Sequence, residues 1–441
     1  MSLDVKFIVF TLILTASVLA QAWPPTYGAE FEFFHPRLTW DTENIRGPEA
    51  QQAKAEFMRQ IELTCQSAGC TIRRIDGKFT PDFLVTLRNG WWFKVTHDPG
   101  VIEVTTKPST LAELNENKTQ IEEIIFRSAR SARFTVHRAD NAHFNLGALS
   151  AFNNDPKKFL RFFADYHNNN HLALGTLGQD FDNAPPLSLL GEDQRQALIR
   201  LTERVNNGEF RTIADVAEAI RTQVYTRTYR EGWGSVHYQA LGIKYLTSDQ
   251  MRQPITSSIE LQALLNLVPF VDFTRDRDQP IEIRAAWSQA SIDQFIRIAE
   301  LIEARIGFLN AKTGPVVYFP SERTSISSWQ EAKTRFYIYV VESGLDYARY
   351  NVLLPRAARG VPLSEFLQEG LSPTQRVRSL RYYKDLINTS EWFRQYSERL
   401  INETQLHHDS VARDILQRLA RYNSNIRPRA PVRSCRALFA P

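Results

Sequence analysis

Four short stretches alternate apolar and ligand-type residues with the period of a β-strand, and that pattern constrains the fold more than any other feature of the chain. Successive strand side chains point to opposite faces. In "GAEFEFF", Glu30 and Glu32 share one face while Ala29, Phe31 and Phe33 share the other. In "VIEVTT", Glu103 stands with Val101 and Thr105, opposite Ile102 and Val104. In "AHFNLG", His143 and Asn145 oppose Ala142, Phe144 and Leu146. In "PIEIRAAW", Glu282 and Arg284 oppose Ile281, Ile283 and Ala285. Each strand therefore has one side suited to a helical layer and one side bearing carboxylate, imidazole, amide or guanidinium.

The surrounding sequence supports strands interleaved with helices. "FLVTLRNGWWFKVTHDPGVIEVTT" reads as three strands joined by turns at Asn89–Gly90 and Pro99–Gly100, where glycine supplies the positive φ a tight turn demands. A helix is expected over roughly Gln51–Ser67. A second opens at Thr110 and Glu113 in capping-box spacing, and a third at Asp155–Pro156. Ile292, Phe295, Ile296, Ala299, Ile302 and Ile306 mark one face of a further helix. Residues 193–267 read as mainly helical, and no repeat is visible. Antiparallel strands with helices gathered to one side define an α+β fold. The expected organisation is a signal peptide at 1–22, a catalytic domain at 23–312 and a mainly helical C-terminal region at 313–441.

The N-terminus directs export. Lys6 precedes the apolar run "FIVFTLILTASVLA", and Ala20 and Ala22 occupy small-x-small cleavage positions. The run is short for a transmembrane helix, so no stable membrane anchor is expected after cleavage, and the destination is periplasmic or secreted. Cys65 and Cys70 in "CQSAGC" could close a small disulfide in an oxidising compartment or remain buried thiols, and Cys435 is left over. Net charge is +4 over 441 residues, and the basic stretches are spaced like solvated helix faces, so nucleic acid is not an expected partner.

Clustered carboxylates repel one another unless cations lie between them. Hard oxygen ligands suit Mg²⁺ or Mn²⁺, above all when phosphate completes the shell. His143 suits Mn²⁺ or a phosphate hydrogen bond, and Arg284 offers a planar fork to phosphate oxygens. Asp98 reads either as an extra acidic ligand or as the former of an Asx-type turn. His97 reads as a surface or capping histidine, and His407 and His408 as solvated. "EGWGSVHYQALGIKY", with Arg230 and His237, reads as a mobile substrate loop or as core packing.

The order Glu-x-Glu, Glu after a glycine turn, His-x-Asn and Glu-x-Arg resembles the glutamine synthetase-like carboxylate–amine ligases, nearest to the amidoligases and glutamate–cysteine ligases. The resemblance spans about Gly28 to Trp287, and His-x-Asn departs from the family's more usual His-x-His. It implies a curved antiparallel sheet forming a catalytic cup, with helices packed on its outer face. It implies Glu30, Glu32, Glu103 and Glu282 as metal ligands, His143 and Asn145 at the nucleotide or metal, and Arg284 at the transferred phosphate. Glu103 and Arg284 become the catalytic candidates. The implied cofactors are ATP with Mg²⁺ or Mn²⁺, and the substrates an amino acid or peptide carboxylate and an amine. Two other readings stand beside it: an exported metal-dependent amide or phosphate hydrolase, and a non-catalytic binding protein.

Overall fold

The computed structural model describes residues 24–38, 44–136, 142–169, 172, 192–226, 239–243, 246–247, 278–284, 286, 288–318 and 329–353. The expected signal segment at 1–22, residues 230–237, Ala285, Trp287, His407, His408, Cys435 and the C-terminal region beyond Leu353 lie outside them.

An eight-stranded sheet organises the chain. Its strands are β1 (Tyr27–Phe33), β2 (Thr71–Ile75), β3 (Asp82–Thr86), β4 (Trp92–Asp98), β5 (Val101–Thr106), β6 (His143–Gly147), β7 (Leu241–Gly242) and β8 (Pro280–Ile283). The order across the sheet is β2-β3-β4-β5-β1-β6-β8-β7, and every pairing is antiparallel. The α+β class is thus as expected. The strands β5, β1, β6 and β8 that carry the alternating motifs are consecutive neighbours at the centre. Gly100 turns β4 into β5 at φ +90°, a conformation that a residue with a Cβ rarely adopts.

Two edge strands, β2 and β7, were not legible as strands. "TIRRI" has adjacent arginines that break the alternation, and Leu241–Gly242 is a two-residue strand inside the stretch read as a mobile loop or as core packing, with Leu241 buried. Both gain their pairing from a neighbour already in place.

One face of the sheet is the core. Ala29, Phe31, Phe33, Phe93, Val95, Ile102, Val104, Phe144, Leu146, Ile281 and Ile283 are each at most 2% exposed. Helices cover them. Phe33 meets Phe57 of the Pro48–Ala68 helix at 5.6 Å between ring centroids. Phe31 packs edge-on against Phe126 and against Phe295 of the Ile292–Asn310 helix. Burying each such ring is worth about 1.5–3 kcal/mol, so this face supplies the folding drive.

The helix starts follow their sequence signals. Thr110 and Glu113 form a reciprocal capping box, and Asp155 accepts from the amides of Lys157 and Lys158 ahead of Pro156. The helix from Leu111 runs through a π-turn at Glu122–Arg127, where Ile124, Ile125 and Phe126 are all buried. Cys65 and Cys70 are disulfide-bonded, with Cα atoms 5.0 Å apart. The described part of the C-terminal region, including the Trp329–Glu342 helix, joins this layer. Arg305 bridges Asp165 and Glu342, and Arg349 and Tyr350 both reach Glu300. Among the described residues no helix is long and apolar enough to cross a membrane.

Candidate functional site

The opposite face carries the polar residues, and it is not an open wet surface. No residue of β1 or of β3 to β8 is fully exposed. Register brings the motif residues into adjacent positions. Glu30 pairs across to Thr105 on one side and His143 on the other; Glu32 faces Glu103; Asn145 faces Glu282.

Glu30, His143 and Glu282 form the tightest group, each offering a ligand atom within 4.8 Å of the others. His143 Nδ1 makes a short contact with Glu30 and lies 3.1 Å from Glu282 Oε1. Asn145 donates its amide to Glu30 Oε1 at 3.1 Å, fixing the second oxygen of that carboxylate. Arg284 donates to Glu282 Oε1 at 2.9 Å. Gly242 of β7 lets the strand come close: a Cβ there would stand 2.9 Å from Glu282 Oε2 and 3.3 Å from Glu282 Cβ.

The electrostatics follow from this crowding. Burial and Arg284 press the His143 pKa down, but Glu30 and Glu282 outweigh them and raise it to about 10, so the ring is an imidazolium. Burial, then Glu30, pushes the Glu103 carboxyl up to about 7, against the pull of His143 and of Thr105. The Thr105 hydroxyl donates to Glu103 Oε1 at 2.8 Å. Glu32 stands directly opposite Glu103, and like charges facing across a strand pair destabilise it. Asp98 lies on the same face at the end of β4. Burial raises its pKa, with Lys78 and His143 opposing and Glu30 adding, so it belongs to the same electrostatic cluster.

The sequence-derived residues therefore divide. Glu30, His143, Glu282, Asn145 and Arg284 are in direct mutual contact. Glu32, two residues from Glu30 along β1, faces Glu103 on neighbouring β5, and both lie outside the close three-residue group. His97 is a correction: it is not at the surface but 1% exposed on the helix-covered face, opposite Ile102. The parity of β4 places it with Phe93 and Val95, and the turn beside it had suggested exposure.

Several contributors have no role assigned by the sequence alone. Thr105 follows from parity, being two residues beyond Glu103. Asp82 on β3 extends the polar face outward, where Thr96 donates to its Oδ2 at 3.2 Å and Lys94 Nζ approaches to 3.9 Å. Gly242 carried no signal, because its role depends on a strand pairing. No family model matches this chain, and no curated protein matches it.

Proposed function

We propose that this chain is an ATP-dependent carboxylate–amine ligase, an amidoligase built on a glutamine synthetase-like arrangement of its central strands. One observation carries the reading: Glu30, His143 and Glu282 converge from three neighbouring strands on a half-buried face, with Arg284 beside them. The two carboxylates already hold cations here, the His143 imidazolium and Arg284, and a divalent ion would take the place of the imidazolium proton between them.

The donor set suits Mn²⁺ or Mg²⁺. Two carboxylates and an imidazole are ligands such ions accept, and atoms within 4.8 Å of one another fit around one centre. Glu30, Glu282 and His143 would hold the ion, with Glu32 further along β1 and Glu103 on adjacent β5 beside them. A bound divalent ion would neutralise charge on a polyphosphate and draw its oxygens into line. His143 would release its proton on ligation, because only the neutral ring coordinates.

The remaining roles belong to side chains of the chain itself. Asn145 orients Glu30, and Thr105 orients Glu103. Arg284 would leave Glu282 to meet the phosphoryl group passing from ATP to the substrate carboxylate. Positioned charge of this kind supplies most of the catalysis in phosphoryl transfer. The amine then attacks the acyl phosphate carbonyl, the amide forms, and inorganic phosphate leaves.

A metal-dependent amide or phosphate hydrolase is the second reading, favoured by the Cys65–Cys70 disulfide. That bond suits an oxidising compartment, and with the export signal expected at residues 1–22 it points to a location where ATP is scarce. The test is ADP and phosphate release with Mg²⁺, ATP and a mixture of amino acids and peptides, followed by mass spectrometry. ATP-dependent loss of water between two substrates supports ligation. Amide cleavage without nucleotide assigns the face to hydrolysis, and nucleotide binding with neither product leaves a binding protein.

A further inference from the structure

Glu282 lies beside the shortest strand of the sheet. Among the described residues β7 is two residues long and pairs only with β8, through Leu241–Ile283 and Gly242–Glu282. The ladder shows what this strand leaves unmet. The Arg284 amide donates to Ala240 O at 3.1 Å, which makes Ala240–Arg284 and, two residues on, Gly242–Glu282 the hydrogen-bonded pairs. Leu241, between them, therefore turns its carbonyl away from β8 to the outer edge. Leu241 is fully buried, so that carbonyl needs a donor from elsewhere in the protein.

One helix end supplies it. The Ile213–Ala219 helix passes into a π-turn at Ile220–Val224, and Tyr225 follows. The Tyr225 hydroxyl donates to Leu241 O at 3.1 Å. Its buried ring packs on Phe163 at 5.9 Å between centroids, and its oxygen lies 3.4 Å from His167 Nε2. Burial holds His167 neutral, and with the hydroxyl proton committed to Leu241, the Nε2 proton of that ring completes the chain. Arg221, one turn before Tyr225, donates to the carbonyls of Ile243 and Leu246, each at 3.2 Å. Glu218 takes the other edge of the guanidinium at 2.7 Å. Arg221 and Tyr225 thus clasp three carbonyls of the stretch from Leu241 to Leu246.

This clasp bears on the site through Gly242. A Cβ there would stand 2.9 Å from Glu282 Oε2 and 3.5 Å from Arg284 Cδ, so the β7 backbone is the wall on which both side chains rest. A wall held by so few ladder positions would peel away and admit water unless it were gripped from its outer side. We propose that Arg221 and Tyr225 are positioning residues of the cation site, holding β7 so that the Glu282 carboxylate stays aimed at His143 and Glu30. This rests on the reading of Glu30, His143 and Glu282 as the place of a divalent ion. Both residues act through the β7 backbone and touch neither the ion nor its ligands. The π-turn that carries Arg221 is a local irregularity of a kind that recurs at functional sites.

The experiment measures Mn²⁺ affinity and the electron paramagnetic resonance spectrum of the bound ion in the full chain, beside urea unfolding of the metal-free protein. Tyr225→Phe and Arg221→Met should each weaken Mn²⁺ binding on the order of tenfold and broaden the spectrum, and Arg221→Lys should recover most of the affinity. Arg161→Met is the control, because Arg161 clasps the carbonyls of Leu309, Lys312 and Gly314 away from the site. It should lower stability and leave Mn²⁺ affinity and spectrum unchanged. Unchanged affinity and spectrum in both Tyr225→Phe and Arg221→Met, or an equal loss in Arg161→Met, overturns the clasp. If Arg221→Met fails to fold, Tyr225→Phe decides, since it keeps the ring and removes one oxygen. Glu282→Gln separates the two levels. No Mn²⁺ binding by the unaltered protein, or binding that Glu282→Gln leaves intact, overturns the functional reading and this inference together. Binding lost in Glu282→Gln but unchanged in both clasp variants overturns only the role of Arg221 and Tyr225.

Discussion

His97 on β4 and His143 on β6 flank the central pair β5 and β1, and both are buried, yet they end in opposite charge states. His97 points into the helical layer. Burial, with Lys54 nearby, presses its pKa down to about 4, and neither ring nitrogen has a hydrogen-bond partner among the described residues. His143 points to the other face, where Glu30 and Glu282 overcome burial and hold it charged. The backbone treats the two alike. What differs is the neighbourhood that strand parity assigns to each, apolar rings for one and carboxylates for the other. The sheet thus separates its tasks by face: one side stabilises, and the other concentrates charge at a cost in stability.

The sharpest way to break this comparison uses neighbours in one strand. Phe31 and Glu30 are adjacent in β1 and point to opposite faces. Phe31→Ala should cost about 3–5 kcal/mol, since the ring is buried between Phe126 and Phe295. Urea unfolding measures it, and a loss below about 1 kcal/mol would contradict the assignment of the core. Glu30→Gln should leave the fold intact and weaken Mn²⁺ binding on the order of a hundredfold.

The pH response distinguishes the faces next. A histidine whose folded pKa lies below its unfolded value of about 6.5 binds protons less readily when folded. Stability is then complete above pH 6.5 and falls as pH drops toward the folded value of about 4. His97→Phe should remove this loss and gain about 2 kcal/mol at pH 5, with little change at pH 8. Chemical denaturation at the two pH values checks it, and an equal effect at both would place His97 outside this account.

A smaller effect of opposite kind belongs to Glu103. Its charge is disfavoured by burial and by Glu30. Glu103→Gln should therefore stabilise the metal-free protein by about 1 kcal/mol above pH 7, and the gain should shrink when Mn²⁺ is added. Differential scanning calorimetry with and without the ion reads both. A destabilised metal-free variant would mean that Glu103 is held by a favourable partner network and not strained.

Much of this division was legible in the sequence because parity is a local property. Glu30, His143, Asn145, Glu282 and Arg284 could be placed on one side of their strands from alternation alone, and the sheet brings those strands together. The capping box at Thr110–Glu113 and the glycine turns are likewise local. What alternation could not give was strand order, so the close grouping of Glu30 with His143 and Glu282, and the greater separation of Glu32 and Glu103, had to come from pairing. His97 was misplaced because the turn at Pro99–Gly100 outweighed the parity of β4 in the reading. Gly242 and Asp82 contribute only through contacts made across the sheet, where a sequence window carries no signal.

The central claim is that Glu30, His143 and Glu282 form one cation site. Electron paramagnetic resonance of Mn²⁺ titrated into the full chain tests it most directly, with Glu282→Gln and His97→Phe as paired variants. The account predicts saturable binding in the unaltered protein, retained in His97→Phe and lost in Glu282→Gln. Equal Mn²⁺ binding by the unaltered protein and Glu282→Gln, or none by either, would contradict it.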